Sequence, residues 1–105
     1  MVYSVKITNQ AGEDLKTIYE YIAFELNSAE NAEAQLSRLE KNILKLNEMP
    51  YRFKLYEKEP WKTRGLRTMP VDNYLVFYLP NDDTRTVTII RVMYGGRNTD
   101  KQLDN

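Results

Sequence analysis

The stretch Thr86–Asn98 reads TVTIIRVMYGGRN. Thr86, Val87, Thr88, Ile89, Ile90 and Val92 carry the residue types that suit a pleated and largely buried strand. Gly95 and Gly96 follow the aromatic Tyr94 and permit backbone angles that bring the chain round sharply, which leaves Tyr94 and Arg97 at the mouth of the strand. Arg91 interrupts the apolar run, so it either pairs with a carboxylate or faces an open, polar side of the sheet. A core strand ending in a Gly-Gly turn accounts for the same residues without any chemistry.

Moving outward from this strand, Pro80-Asn81-Asp82-Asp83 is a dense turn signal, and before it Tyr74–Leu79 alternates Leu75, Phe77 and Leu79 against Tyr74, Val76 and Tyr78. Arg64–Val71 reads as a further strand leading into an Asp72-Asn73 turn, which makes the last three strands a meander. Tyr51–Trp61, YRFKLYEKEPW, reads as an extended loop or edge strand. Its aromatics either stack on a single-stranded nucleic acid, with Arg52, Lys54 and Lys58 neutralising it, or pin a long loop to the domain.

The first half of the chain has helical spacing. After an N-terminal strand in which Tyr3, Val5 and Ile7 alternate with polar residues, Asn9 is placed to cap a helix with an apolar stripe of Ala11, Leu15, Ile18, Tyr19, Ile22 and Leu26. Asn27, with Glu30 three residues on, resembles a capping box for a second helix carrying Ala32, Leu36, Leu39, Ile43 and Leu46 and ended by Pro50. So short a connection makes the two an antiparallel hairpin. The order is β-α-α-β-β-β, an α+β domain over residues 1–105 with the helical hairpin packed on one face of a small, mainly antiparallel sheet. The polar tail from Thr99 to Asn105 is expected to fray.

Composition narrows the chemistry. The chain has no cysteine and no histidine, hence no zinc-type ligand set, no imidazole base and no thiol nucleophile, and neither cofactor nor metal is expected. Absence of cysteine and of a signal-like apolar segment points to the cytoplasm, and no apolar run reaches membrane-spanning length. The net charge of zero hides an asymmetry: five basic to eight acidic residues up to Tyr51, a net of −3, and ten to seven from Arg52 onward, a net of +3. An anionic partner would therefore dock on the second half.

The combination of Arg64-Gly65-Leu66-Arg67, the Asn73–Tyr78 strand and the Arg91–Arg97 strand end, behind a helical hairpin, resembles the RelE/ParE superfamily of bacterial toxins from type II toxin–antitoxin pairs. The resemblance spans nearly the whole chain and implies that toxin fold, a small cognate antitoxin as partner, and one of two activities. RelE-like members cut messenger RNA on the ribosome through attack by the RNA's own 2′-hydroxyl; ParE-like members inhibit DNA gyrase. On the nuclease reading, placed first, Arg67, Tyr94 and Arg97 would be catalytic, and Lys62, Arg64 and Arg91 would bind RNA without a metal. Each has a plain alternative: Arg67 or Arg91 as the ion-pair partner of Asp72 or a helix carboxylate, and Tyr94 as a half-buried sheet tyrosine. Tyr74 stands where the nucleases have a basic residue, no tyrosine follows Arg97, and the YGGRN ending is closer to the ParE-like side. A binding module that has kept the fold and lost the toxicity is the third reading.

Overall fold

The computed structural model describes residues 2–96 and 99–103. Its elements are β1 (Ser4–Ile7), α1 (Asn9–Glu20) running into a π-helical turn (Tyr21–Glu25), α2 (Ala29–Leu44) with a 3-10 turn (Lys45–Asn47), β2 (Lys54–Leu55), α3 (Trp61–Arg64), β3 (Arg67–Val71), β4 (Tyr74–Asn81), β5 (Thr86–Tyr94) and α4 (Thr99–Leu103). The sheet has the order β1-β5-β4-β3-β2; β1 pairs with β5 in parallel and the other pairs are antiparallel. The expected β-α-α-β-β-β order is thus present, with β2, α3 and α4 added to it.

Alternation along the strands builds two cores. Val71, Met69, Val76, Tyr78, Val87, Ile89 and Val92 meet Ala11, Leu15, Leu39, Ile43 and Leu46 of the helices. On the other face Phe77 and Met93 are covered by Leu66 and Leu103, flanked by Tyr56 and Trp61. That second face is therefore only partly open. Leu103 is buried, so the tail expected to fray forms α4 as far as that residue, pinned by its apolar side chain.

A register shift between Phe77 and Tyr78 sets the faces of β5. Tyr78 pairs with Ile89 and Phe77 with Arg91, so Ile90 is an extra residue, a β-bulge. Strict alternation from Ile89 would have put Arg91 on the helix side. The bulge reverses the parity and gives that side to Val92.

Several local expectations change for identifiable reasons. Thr8, not Asn9, caps α1: its hydroxyl accepts from the Ala11 N–H at 3.1 Å and donates to the Ile90 carbonyl at 3.1 Å, so the cap is also tied to the bulge. Ser28, not Asn27, caps α2, while Asn27 takes a left-handed φ of 57° to leave the π turn. Arg64 belongs to α3 rather than to the following strand, because Gly65 at φ 89° ends that helix and β3 starts only at Arg67. Ile7, expected on the buried side of β1, is 47 % exposed, and Leu26, expected on the α1 stripe, is 58 % exposed beyond the π turn. Neither Gly95 nor Gly96 has a positive φ. Their need is space: a Cβ on Gly95 would lie 3.3 Å from the Asn73 carbonyl oxygen, and one on Gly96 would lie 3.2 Å from the Tyr94 ring.

Candidate functional site

Arg67 opens β3 opposite Tyr78 and shares its face, the helix side. From there its Nη1 donates to the carbonyls of Phe53 at 2.6 Å and Tyr51 at 3.1 Å, and its guanidinium lies 4.9 Å over the Tyr51 ring. Beside it the buried Tyr78 hydroxyl donates to the Pro50 carbonyl at 2.7 Å, and burial pushes that phenol up to about 12. Together they hold the loop after α2 against the sheet. The loop is anchored further by Asp82, whose carboxylate accepts from Tyr3 at 2.5 Å and Tyr51 at 2.9 Å and is held below the usual carboxylate range by those two bonds.

Arg91 makes the alternative pairing foreseen for it, with a helix carboxylate. Its Nε and Nη2 donate to the two oxygens of Asp14 at 2.8 and 3.0 Å, and its Nη1 donates to the Gln102 carbonyl at 3.1 Å. Asp72 is bound by neither expected arginine; Arg38 and Gln35 of α2 donate to it at 2.8 and 3.0 Å and lower its pKa. Tyr94 pairs with Tyr74 at the far end of the sheet, the rings edge to face at 5.7 Å, and is 48 % exposed. Arg67 and Tyr94 are separated by two inter-strand spacings and by the length of β3, about 16 Å from strand and residue spacings. Lys62 and Arg64 are exposed on α3, where Arg64 lies 5.1 Å over the Trp61 ring. Arg97 lies outside the described residues. The expected catalytic set therefore does not converge among the described residues: Arg67 and Tyr94 are at opposite corners of one face, and Arg91 belongs to the other.

Two grooves remain. One, of about 730 Å³, runs between the helical hairpin and the ends of β4 and β5, with Ile18, Tyr21, Leu26, Tyr74 and Tyr94 as its apolar wall and Asp14, Arg91 and Gln102 at one end. The other, of about 710 Å³, lies along β2 on the sheet face opposite the helical hairpin, where Arg52, Lys54 and Lys58 surround Tyr56, Thr68, Pro70 and Leu75. This second groove is built from the interleaved basic and aromatic residues of the Tyr51–Trp61 stretch. Asp14 was legible only in retrospect. It falls three residues after Ala11 and four before Ile18, on the buried stripe itself, and a carboxylate there requires a cation.

No curated protein sequence matches the chain. Among solved structures it is similar to the chromosomal ParDE toxin–antitoxin system from P. aeruginosa, with TM-score 0.74 and 18 % identity over 89 % of this chain and 96 % of that one. It is similar also to the RelBE2 toxin–antitoxin complex from Mycobacterium tuberculosis, with TM-score 0.67 and 23 % identity over 90 % and 99 % of the two chains. A mutant of the E. coli toxin RelE in the free state gives TM-score 0.63 and 13 % identity over 97 % and 93 %. At such identities these likenesses establish the fold, which is that of the RelE/ParE toxins. Residues 5–99 match the sequence model of the family described as the ParE toxin of the type II toxin-antitoxin system, parDE. Since that match runs from within β1 to the first residue of α4, the chain belongs to the ParE toxin family and is the toxin of a type II toxin–antitoxin system.

Proposed function

We propose that this toxin acts by inhibiting DNA gyrase and that a small cognate antitoxin neutralises it. The observation that carries the choice of target is the use to which Arg67 and Arg91 are put. Metal-free RNA cleavage needs cationic groups and a proton-transfer group within hydrogen-bond reach of one phosphate. Arg67 gives its guanidinium to two backbone carbonyls on the helix side, and Arg91 gives its own to Asp14 and a carbonyl of α4. Tyr94, the proton-transfer candidate, stands across the sheet from Arg67. The match to the ParE family supports the same choice. The apolar groove beside the hairpin, with the exposed Tyr21 and Leu26 on its wall, suits an amphipathic helical segment of the antitoxin.

The test is induction of the lone chain in a bacterial host with thymidine and methionine incorporation followed together, and a supercoiling assay with purified gyrase. Thymidine incorporation falls first and supercoiling is inhibited on this reading; methionine falling first, with supercoiling untouched, overturns it. That second outcome would favour ribosome-dependent cleavage of messenger RNA. A specific observation stands behind this alternative, the groove on the face opposite the hairpin with Arg52, Lys54 and Lys58 around Tyr56. On it, Lys54→Ala would abolish toxicity. Normal growth despite well-folded expression would return the non-toxic binding module.

A further inference from the structure

Beyond Ile89 the outer edge of β5 has no strand beside it among the described residues, because β1 ends at Ile7. A side chain takes the place of the missing strand. The Asp14 carboxylate of α1 accepts the Val92 backbone N–H at 2.9 Å, as a strand carbonyl would, and the same carboxylate takes the fork of Arg91. The bulge at Ile90 places Arg91 opposite Phe77, the face that α4 covers through Leu103. From that face it reaches round the open edge to Asp14, and its remaining amino group holds the Gln102 carbonyl. One arginine thus joins α1, the strand edge and the last helix.

Physical chemistry makes this an unusual way to hold a tail. The side chains are 17 % and 12 % exposed, so both charges have lost most of their hydration, and an ion pair so desolvated is a poor source of net stability. A helix of five residues, Thr99–Leu103, has no stability of its own. An apolar contact alone, such as Leu103 makes, would suffice to dock it loosely. The bidentate pair adds direction: it fixes where α4 lies relative to the strand end, beside the exposed Tyr94, Gly95 and Gly96.

We infer that Asp14 and Arg91 are positioning residues for toxic action, holding α4 against the end of β5 in the arrangement that the toxin presents to its target. The inference rests on the reading of the chain as an active toxin whose target is gyrase. The experiment uses the full chain and four variants, Arg91→Gln, Asp14→Asn, Leu103→Ala and truncation after Asn98, each measured for supercoiling inhibition and growth arrest at graded expression, and those that keep α4 also for amide exchange over residues 99–103. Arg91→Gln and Asp14→Asn are expected to lose toxic potency by about tenfold or more, as small misplacements of a working surface do. The amides of α4 lose protection. Arg91→Gln introduced into the truncated chain produces no further loss, because there is no α4 left to hold. Should Arg91→Gln fail to fold, Leu103→Ala releases α4 without disturbing the ion pair and is expected to show the same loss of potency together with the same loss of α4 protection. Full potency in a variant whose α4 amides are unprotected overturns the inference. So do losses that multiply when Arg91→Gln is combined with the truncation. A wild-type chain that arrests growth without touching supercoiling sinks the gyrase reading alone, and the variants are then scored on growth arrest. One that does neither sinks both.

Discussion

Arg67→Ala removes both donors that hold the Tyr51 and Phe53 carbonyls, and with them the cation lying over the Tyr51 ring. Hydrogen bonds from a charged donor make this a loss of about 1–3 kcal/mol, read as a lower Tm by circular dichroism. Toxic potency, measured well below the melting transition, should then survive. Abolished toxicity with an unchanged Tm would return Arg67 to a chemical role. Arg67 and Arg91 were both legible in the sequence as residues of interest, but their partners were not. Backbone carbonyls at Tyr51 and Phe53 leave no trace in side-chain types, and Asp14 looks like any acid in the first turns of a helix.

At the scale of the element, the caps carry more than helix ends. Thr8 accepts from the Ala11 N–H while donating to the Ile90 carbonyl, so one hydroxyl joins α1 to the bulge in β5. Thr8→Val keeps the shape and removes both bonds. Its expected cost is about 1–2 kcal/mol, the upper part of the range for a lost N-cap, measured as a shift in the denaturant midpoint with an unchanged slope. A cost near zero would mean that the bulge is held by Asp14 and the strand pairing alone. Asn9, Asn27 and Ser28 are all acceptable caps by type, so sequence pattern placed the helix starts only to within a residue.

The whole molecule has a window of pH stability set by groups at its seams. Asp72, lowered by Arg38 and then Gln35, ties α2 to the β3–β4 turn, and Asp82, lowered by Tyr3 and then Tyr51, ties the β4–β5 turn to the residue before β1 and to the loop after α2. Depressed carboxylates stabilise the fold fully above their unfolded value of about 4, and that contribution is lost as pH falls through the depressed folded values. Tyr78 works in the opposite direction. With its phenol raised to about 12 by burial, its contribution is whole below the unfolded value of about 10 and disappears as pH climbs from there toward about 12. Melting temperatures should thus be level between about pH 5 and 9 and fall on both sides, with Asp82→Asn shrinking the acid limb and Tyr78→Phe the alkaline one. Ionised tyrosine absorbance that is complete by about pH 11 in a still-folded chain would contradict the assignment of Tyr78.

By itself the sequence determined the helical hairpin, the β3–β5 meander and the residues that fill the core between them, because apolar periods of 3.6 and 2 are local properties that survive any tertiary context. Its resemblance to the RelE/ParE toxins rested on the same local runs. Only the tertiary structure decided which face Arg91 uses, what Asp14 is for and why the tail folds. A single extra residue at Ile90 reverses the parity of the strand, and a bulge is a property of two strands in register, not of either one alone. The burial of Leu103 likewise exists only once Leu66, Phe77 and Met93 have been brought together from three distant parts of the chain.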